Sequence, residues 1–314
     1  MDRKGPTVLD VLSGDAATSP MRDLWEVWGA YRSKRRAGAS PLAAAVLVSS
    51  EVDRLGFAFA AGYPAALEQM IEGVRIPSAL CVTEAKGNAP RAIESTLTPK
   101  ADDYELDGMK TFVTFGSYAE TLIIVAREGE RLDGRPDLAV VAIPANRKGV
   151  VLHELPATPF VPEVPHTSVR FEGVEVLRSE RLPGDGYLGY VKPFRTTEDI
   201  HVLGATIGYL LGLASRVRSS AALIAELTAD LVALDRLRES PPLDPRVHIA
   251  LHGVHQRVTE LVSCDAFAKL LNAAPNDERK RWERDKALLH VASRAREARF
   301  ERATMHLHRP HMIA

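Results

Sequence analysis

The sequence predicts an α+β protein in three parts: N-terminal helices, a middle antiparallel β domain and a C-terminal helix bundle. Three observations predict it. Apolar residues recur at helical spacing up to about Pro77, in short β-rich runs from Ser78 to about Arg181, and at helical spacing again from about Tyr190. Turn residues punctuate the middle third every few positions. The helical stretches of the last third are joined by short breaks, the pattern of a bundle. The domain boundaries are 1–77, 78–187 and 188–314.

In the first part, SPMRDLWEVWGAYRSKRR puts Leu24, Trp28 and Tyr31 on one stripe, with Thr18 or Ser19 as cap and Pro20 in the first turn. A second helix starts near Pro41. A third carries Leu55, Phe59 and Leu67, and Pro64 inside it removes an amide donor, so a kink is expected there. In the middle part the strand candidates are ALCVTE, AIESTL, YELDG, KTFVTF, TLIIVAR, LAVVAIP, VVLHEL, SVRFEG and VEVLR. Asp107-Gly108 reads as the turn of a tight hairpin, and Asp133-Gly134 turns a later connection. So many short antiparallel strands suggest a sandwich or barrel. In the last part, the stretch from Thr196 to Leu237 holds two helices, and RESPPLDP breaks it. One long helix is expected from Asp244 to Ala274, and one more from Glu278 to Leu307.

Composition narrows the function. The 314 residues carry a net charge of −1, so no global bias points to nucleic acid or an acidic partner. Two cysteines, Cys81 and Cys264, exclude a disulfide scaffold and a cysteine zinc module. No apolar run approaches the ~18 residues of a membrane span. MDRKGPTVLD lacks the apolar stretch of a signal peptide, so a cytoplasmic protein is expected. No Gly-x-Gly-x-x-Gly follows a strand, which removes a nicotinamide fingerprint.

Two motifs carry a resemblance. Leu80-Cys81-Val82-Thr83-Glu84 opens the β region and runs into Ala85-Lys86-Gly87-Asn88-Ala89-Pro90. Gly108-Met109-Lys110-Thr111-Phe112-Val113-Thr114-Phe115-Gly116 follows, then TLIIVAR. A third segment, SVRFEGVEVLRSERLPGDGYLGY, leads into a helix with Gly204 and Gly208 on its small-residue face. In order and spacing the sequence resembles the acyl-CoA dehydrogenase family over roughly residues 50–305, most strongly over 80–190. The resemblance implies that family's three-part fold, with FAD held by the β domain and the bundle. It implies flavin contacts at Cys81, Val82, Thr83, Phe112, Val113 and Thr114, with Phe112 packing on the isoalloxazine. A flavin needs hydrogen-bond donors at its N5–O4 edge and an apolar ring contact, which suits two threonines and a phenylalanine. Threonine and phenylalanine are also ordinary sheet formers.

The sequence departs from the family pattern in three places. The Gly-rich Ser-Asp turn is replaced, so that Ala89 stands where a serine would touch the flavin or thioester region, and Lys86 adds a charge that either meets an anion or faces solvent. The Arg-x-x-Phe-Gly motif, whose arginine meets the FAD pyrophosphate of a neighbouring subunit, is missing; Arg216 and Arg218 are the substitutes at hand. The family's adenosine-binding Gln-x-x-Gly-Gly segment and its Tyr-Glu-Gly-Thr loop, with the usual catalytic glutamate, belong after Ala314 and are not in this sequence.

Some relatives carry the base on the first bundle helix instead, and counting back from Gly204 and Gly208 puts Glu198 there. Asp199 beside it would raise one of the two carboxyls, as a base requires. The same residues also read as a helix start, with Thr196 or Thr197 as cap and two acids in the first turn. His201 shares the face of Glu198. His248, His252 and His255 share another helix face, with metal-like spacing but no companion carboxylate, so packing or exposure competes with ligation. His306, His308 and His311 form a terminal tract. No metal site is expected. The last helix alternates charges without interleaved aromatics, which argues for a solvated face and against nucleic acid.

The expected function is an FAD-dependent oxidation of an acyl-CoA or other acyl thioester to the 2-enoyl thioester. The alternative is a degenerate, non-catalytic family member acting as a structural or regulatory subunit. Either way, assembly with itself or with another family member is expected.

Overall fold

The computed structural model describes residues 5–13 and 21–307. These divide into two compact units. The first comprises the described residues within 5–66, 159–161 and 196–307; the second comprises residues 67–158 and 162–195.

The first unit is helical. Helix α1 (Leu24–Arg36) is capped by Asp23, whose side chain accepts from Glu26 N at 3.0 Å. The expected caps Thr18 and Ser19, and Pro20, lie outside the described residues. Leu24, Trp28 and Tyr31 are buried as the stripe predicts. Helix α2 (Pro41–Ser50) starts at Ser40, whose hydroxyl accepts from Ala43 N at 3.1 Å, and is buried almost throughout. Helix α3 (Leu55–Met70) runs through Pro64. Proline has no N–H, so the carbonyl of Ala60 four residues earlier loses its helical donor; Trp28 Nε1 donates to that carbonyl at 2.9 Å.

Helix α4 (Lys192–Arg216) follows a π-helical turn over Tyr187–Val191. Gly204, Gly208 and Gly212 lie against α2, where an added Cβ would collide with Leu42, Val46 and Ser50. Helix α5 (Ala221–Leu237) follows. The single long helix expected next is two, α6 (Pro245–Leu261) and α7 (Asp265–Ala273), broken at Val262–Cys264. The last helix is likewise split, into α8 (Asn276–Asp285) and α9 (Ser293–Leu307). A 3-10 turn and Ala292, at φ 61°, separate them, and neither break carries the proline or glycine that would reveal it in sequence.

The second unit is built on a seven-stranded sheet: β1 (Ser78–Cys81), β2 (Thr96–Lys100), β3 (Asp103–Thr114), β4 (Thr121–Glu130), β5 (Pro136–Pro144), β6 (Val150–Glu154) and β7 (His166–Val176). The order is β1-β4-β2-β3-β7-β6, with β5 on β4. Most pairs are antiparallel; β1 lies parallel to β4. The α+β fold class is that read from the sequence.

Asp107-Gly108 is not a hairpin. It lies inside the continuous strand β3, at a register shift against β7, with Gly108 at φ 138°. A Cβ there would meet Ser95 at 2.6 Å, so the glycine serves a close approach and a bulge. The real turn is Ala101-Asp102. Similarly SVRFEG and VEVLR form one strand, β7, through Gly173. Asp133-Gly134 does turn β4 into β5.

The outer side of β5 is covered. Leu182 N donates to Val140 O at 2.8 Å, and Arg181 bridges Val141. Arg181 is held there by Glu128, with guanidinium contacts of 2.6 and 3.0 Å.

Candidate functional site

The two sequence motifs meet at one place in the sheet unit. Cys81 ends β1 and is fully buried; its thiol is pushed up to about 12, by burial. Val82 and Thr83 continue beyond it, half-buried. The Thr83 carbonyl accepts from Thr111 N at 2.8 Å, which ties this segment to β3. The chain then turns through Ala85-Lys86, with Glu84 and Gly87 exchanging backbone bonds of 3.0 and 2.9 Å. Lys86, at the tip, pairs with Glu94 in solvent, and Ala89 is exposed.

A buried ion pair locks this junction, and the sequence reading had given neither partner a role. Lys110 sits on the same face of β3 as buried Leu106 and is 0% exposed. Its ammonium donates to Glu84 Oε1 at 2.6 Å and to the carbonyls of Val125 at 2.6 Å and Val82 at 3.4 Å. Glu84 also accepts from Glu94 N at 2.7 Å, Ser95 N at 3.1 Å and Ser95 Oγ at 2.7 Å. Burial raises the Glu84 carboxyl, but Lys110 and these donors outweigh it, so it titrates below the usual value. The signal was available: a lysine in register with inward-facing apolar residues must have a buried partner.

Beyond this lock, Phe112, Val113 and Thr114 finish β3. Val113 is buried, Thr114 half-buried, and Phe112 is 47% exposed. His166, opposite Thr114 on β7, stacks on Phe112 with ring centroids 4.0 Å apart and 23° between planes. Burial pushes the imidazole down, favouring its neutral form, and its Nδ1 is buried with no hydrogen-bond partner. The hydroxyls of Thr83 and Thr114 make no hydrogen bond among the described residues. Two free hydroxyls, a ring exposed beyond its imidazole support and a buried unpaired nitrogen are polar and aromatic groups that a flavin edge can use. His166 was missed because cross-strand pairing of β3 with β7 is invisible in the sequence.

The helical unit holds the other candidates. Glu198 is half-buried on α4. The helix-start reading of this region fails, because the helical run begins at Tyr187 and Thr196 and Thr197 are buried inside it. Asp199 does not add free negative charge beside Glu198, since Arg296 and Arg299 of α9 both bond its carboxylate. His201 is fully buried, its Nδ1 is 2.7 Å from Thr197 O, and burial pushes it down to about 4. Arg216 is committed elsewhere: it donates to Ser50 O at 3.0 Å, Val52 O at 3.2 Å and Glu278 at 2.6 Å. Arg218 is exposed at φ 52° in the turn after α4.

The three histidines of α6 have separate surroundings. His248 Nε2 lies 3.0 Å from Pro242 O, and His252 stacks on Phe300 at 3.8 Å. His255 is pushed down to about 4, by burial first. No group of three potential metal ligands occurs among the described residues. His306 is exposed on α9, while His308 and His311 lie outside the described residues.

Such a sheet, with its motif ends locked together and helices before and after it in the chain, defines a class. Residues 79–174 match the family model "Acyl-CoA dehydrogenase, middle domain". The chain has the fold of acyl-CoA dehydrogenases. Butyryl-CoA dehydrogenase from Megasphaera elsdenii is 15% identical, covering 89% of this chain and 87% of that one, with a TM-score of 0.63. FMN-bound TdsC from Paenibacillus sp. A11-2 is 16% identical, covering 90% and 88%, also with a TM-score of 0.63. The FAD complex of PigA is 13% identical, covering 95% and 88%, with a TM-score of 0.62. No curated protein matches the sequence. No helix among the described residues is long and apolar enough to cross a membrane.

Proposed function

We propose that this chain is a flavin-dependent oxidoreductase of acyl thioesters, an FAD-dependent acyl-CoA dehydrogenase-like enzyme that forms a 2-enoyl thioester. The observation that carries the reading is the locked junction of Val82-Thr83 with Phe112–Thr114, which presents two free hydroxyls and a supported aromatic ring. Structures solved with FMN and FAD on the same fold support it. The flavin, when bound, supplies the acceptor for the hydride leaving the β carbon.

The chain's own part is to orient and to move a proton. Thr83 and Thr114 would hold the polar edge of the ring system and Phe112 its face, with Cys81, Val82 and Val113 shaping the strand ends. Glu198 would take the α proton. Asp199 is less suited as the base, because Arg296 and Arg299 engage both its oxygens, even though burial raises its carboxyl above the ordinary value. The same reading includes a cytoplasmic location and self-association or pairing with another family member.

Glu198→Gln should keep the flavin and abolish turnover of acyl-CoA substrates; unchanged turnover would remove Glu198 from the mechanism. The visible absorbance of the protein after gel filtration tests the cofactor, and a near-stoichiometric flavin spectrum is expected.

One observation favours a second reading, a non-catalytic subunit of a heteromeric complex. Arg216, one of the two substitutes at hand for the family's pyrophosphate-binding arginine, is bonded to Ser50, Val52 and Glu278. A protein that stays colourless with added FAD would establish that reading instead.

A further inference from the structure

Helix α9 is held to the helical unit by one face. Arg296, Arg299, Phe300 and Ala303 follow one another at steps of one, three and four, so they share that face. Phe300 stacks on His252 of α6 with 8° between the ring planes, and Ala303 is buried. The two arginines reach α4 instead, where both bond Asp199. Arg294, Glu297 and Glu301 are exposed. The chain enters α9 through Ala292 at φ 61°, a left-handed conformation that an alanine adopts at a cost in strain.

The Asp199 contact is unlike a surface ion pair. None of its three side chains is more than 15% exposed. Arg296 takes one oxygen at 3.3 Å and Arg299 takes the other. Arg296 also donates to Leu289 O at 2.8 Å, which fixes its approach. Charge-assisted bonds out of solvent are strong and directional, and losing one side leaves a buried charge behind. Asp199 is thus the point at which α9 grips α4.

That point is one residue from Glu198, a Cα step of about 3.8 Å. A carboxylate that takes a proton works only within a narrow distance of its target, and a misplacement of about 1 Å costs on the order of a hundredfold in rate. Any slide or rotation of α4 that the grip opposes is one that Glu198 would otherwise undergo. The grip also reverses the local sign. Two guanidiniums against one carboxyl leave a positive group whether Asp199 is ionised or protonated, where the sequence alone places two adjacent acids.

We propose that α9 is a hinged brace that regulates the candidate base: docked, it fixes α4 at Glu198 through Asp199; swung away about Ala292, it leaves that segment loose. Arg296 and Arg299 are positioning residues in this scheme. The inference rests on the reading of Glu198 as the base for its effect on turnover; the grip rests on the helical unit alone.

The test pairs hydrogen exchange of the flavin-free full chain with steady-state kinetics of the flavin-loaded one. In the Arg296→Gln, Arg299→Gln double variant, the amides of α9 and of α4 around Glu198 should lose protection together by about tenfold, while α5 keeps its own. Burial already pushes the Asp199 carboxyl up, so in this variant it can take a proton instead of remaining an unpaired charge. The kcat should fall about tenfold with KM within about twofold, because a positioning group acts on the reaction and not on binding. Arg299→Lys should recover part of the kcat that Arg299→Gln loses, since an ammonium can still meet one oxygen. Should the double variant fail to fold, Asp199→Asn keeps the shape and carries the same expectations at smaller size. Loss of protection confined to α9, or a risen KM with unchanged kcat, overturns the proposal. Full turnover in Glu198→Gln, with α9 and α4 still exchanging together, defeats only the base. A dead Glu198→Gln beside a double variant with wild-type kcat defeats only the brace. A wild-type protein without turnover defeats the proposed function, and exchange then decides the brace by itself.

Discussion

In the sheet unit, a single lysine is wholly buried and each of its three protons has an acceptor: Glu84, Val82 O and Val125 O. In the helical unit the buried carboxylates are met by arginines that stay partly in solvent. Asp230 is paired with Arg257, whose side chain is 57% exposed, and Asp285 with Arg284, at 33%. An ammonium is a compact point charge and must be enclosed on all sides once buried; a guanidinium can turn one edge to a carboxylate and the other to water. The lysine therefore fixes three backbone segments in one geometry, while the arginines tolerate adjustment.

Breaking the lock should have the largest effect. Lys110→Met leaves Glu84 buried and unpaired, an expected loss of about 3–5 kcal/mol in urea unfolding. Adding Glu84→Gln should recover part of it. The contrast between the units collapses if Arg257→Ala costs as much as Lys110→Met.

Acid should separate the units next. Burial holds His201 at about 4, below its ordinary 6.5. The unfolded chain therefore binds its proton first, and the stability that neutral His201 preserves is complete above pH 6.5 and lost as the pH falls towards 4. That loss is about 3 kcal/mol at one and a third kcal/mol per pH unit. His255 acts in the same direction and window. Glu84 has the opposite character, a depressed carboxyl whose contribution lasts until the pH falls through its folded value, below the ordinary 4.5. Hydrogen exchange between pH 6.5 and 4.5 should show the helical unit loosening while the sheet holds. Simultaneous loosening would refute the distinction.

Gly108→Ala should cost roughly 1–3 kcal/mol, because a side chain at φ 138° meets Ser95, with the damage local to β3. A smaller effect on folding is expected for Phe112→Ala, about 1 kcal/mol or less for a lost ring stack at an exposed position. Its consequence should appear in flavin affinity, read from the free fraction in an absorbance titration.

What the sequence revealed follows the same divide. The sheet motifs were legible through their resemblance to the family's order and spacing, whereas the Lys110–Glu84 link inside them was not, because the partners stand 26 residues apart. The strand breaks were less so: Asp107-Gly108 has the composition of a turn, and only the approach of Ser95 shows why the glycine is there. In the helical unit the Trp28 face could be read from periodicity and the Gly204 face from the family resemblance. The interruptions at Cys264 and Ala292 could not, since neither break carries a proline or glycine. Glu198 was reached as a candidate by counting back from Gly204 and Gly208, while its surroundings, with Asp199 bonded to Arg296 and Arg299 about a hundred residues away, had no local signature.

The cover over β5 has a consequence for handling the protein. Leu138 to Ile143 is an unbroken apolar, β-branched-rich stretch without charge or proline, the kind of segment that recruits identical strands into fibres when its edge is open. Arg181-Leu182 occupies that edge, and Glu128 pins the cover down. The Glu128–Arg181 contact thus guards solubility more than shape. Glu128→Ala should leave the folded protein nearly unchanged in dilute solution and shorten its shelf life when concentrated.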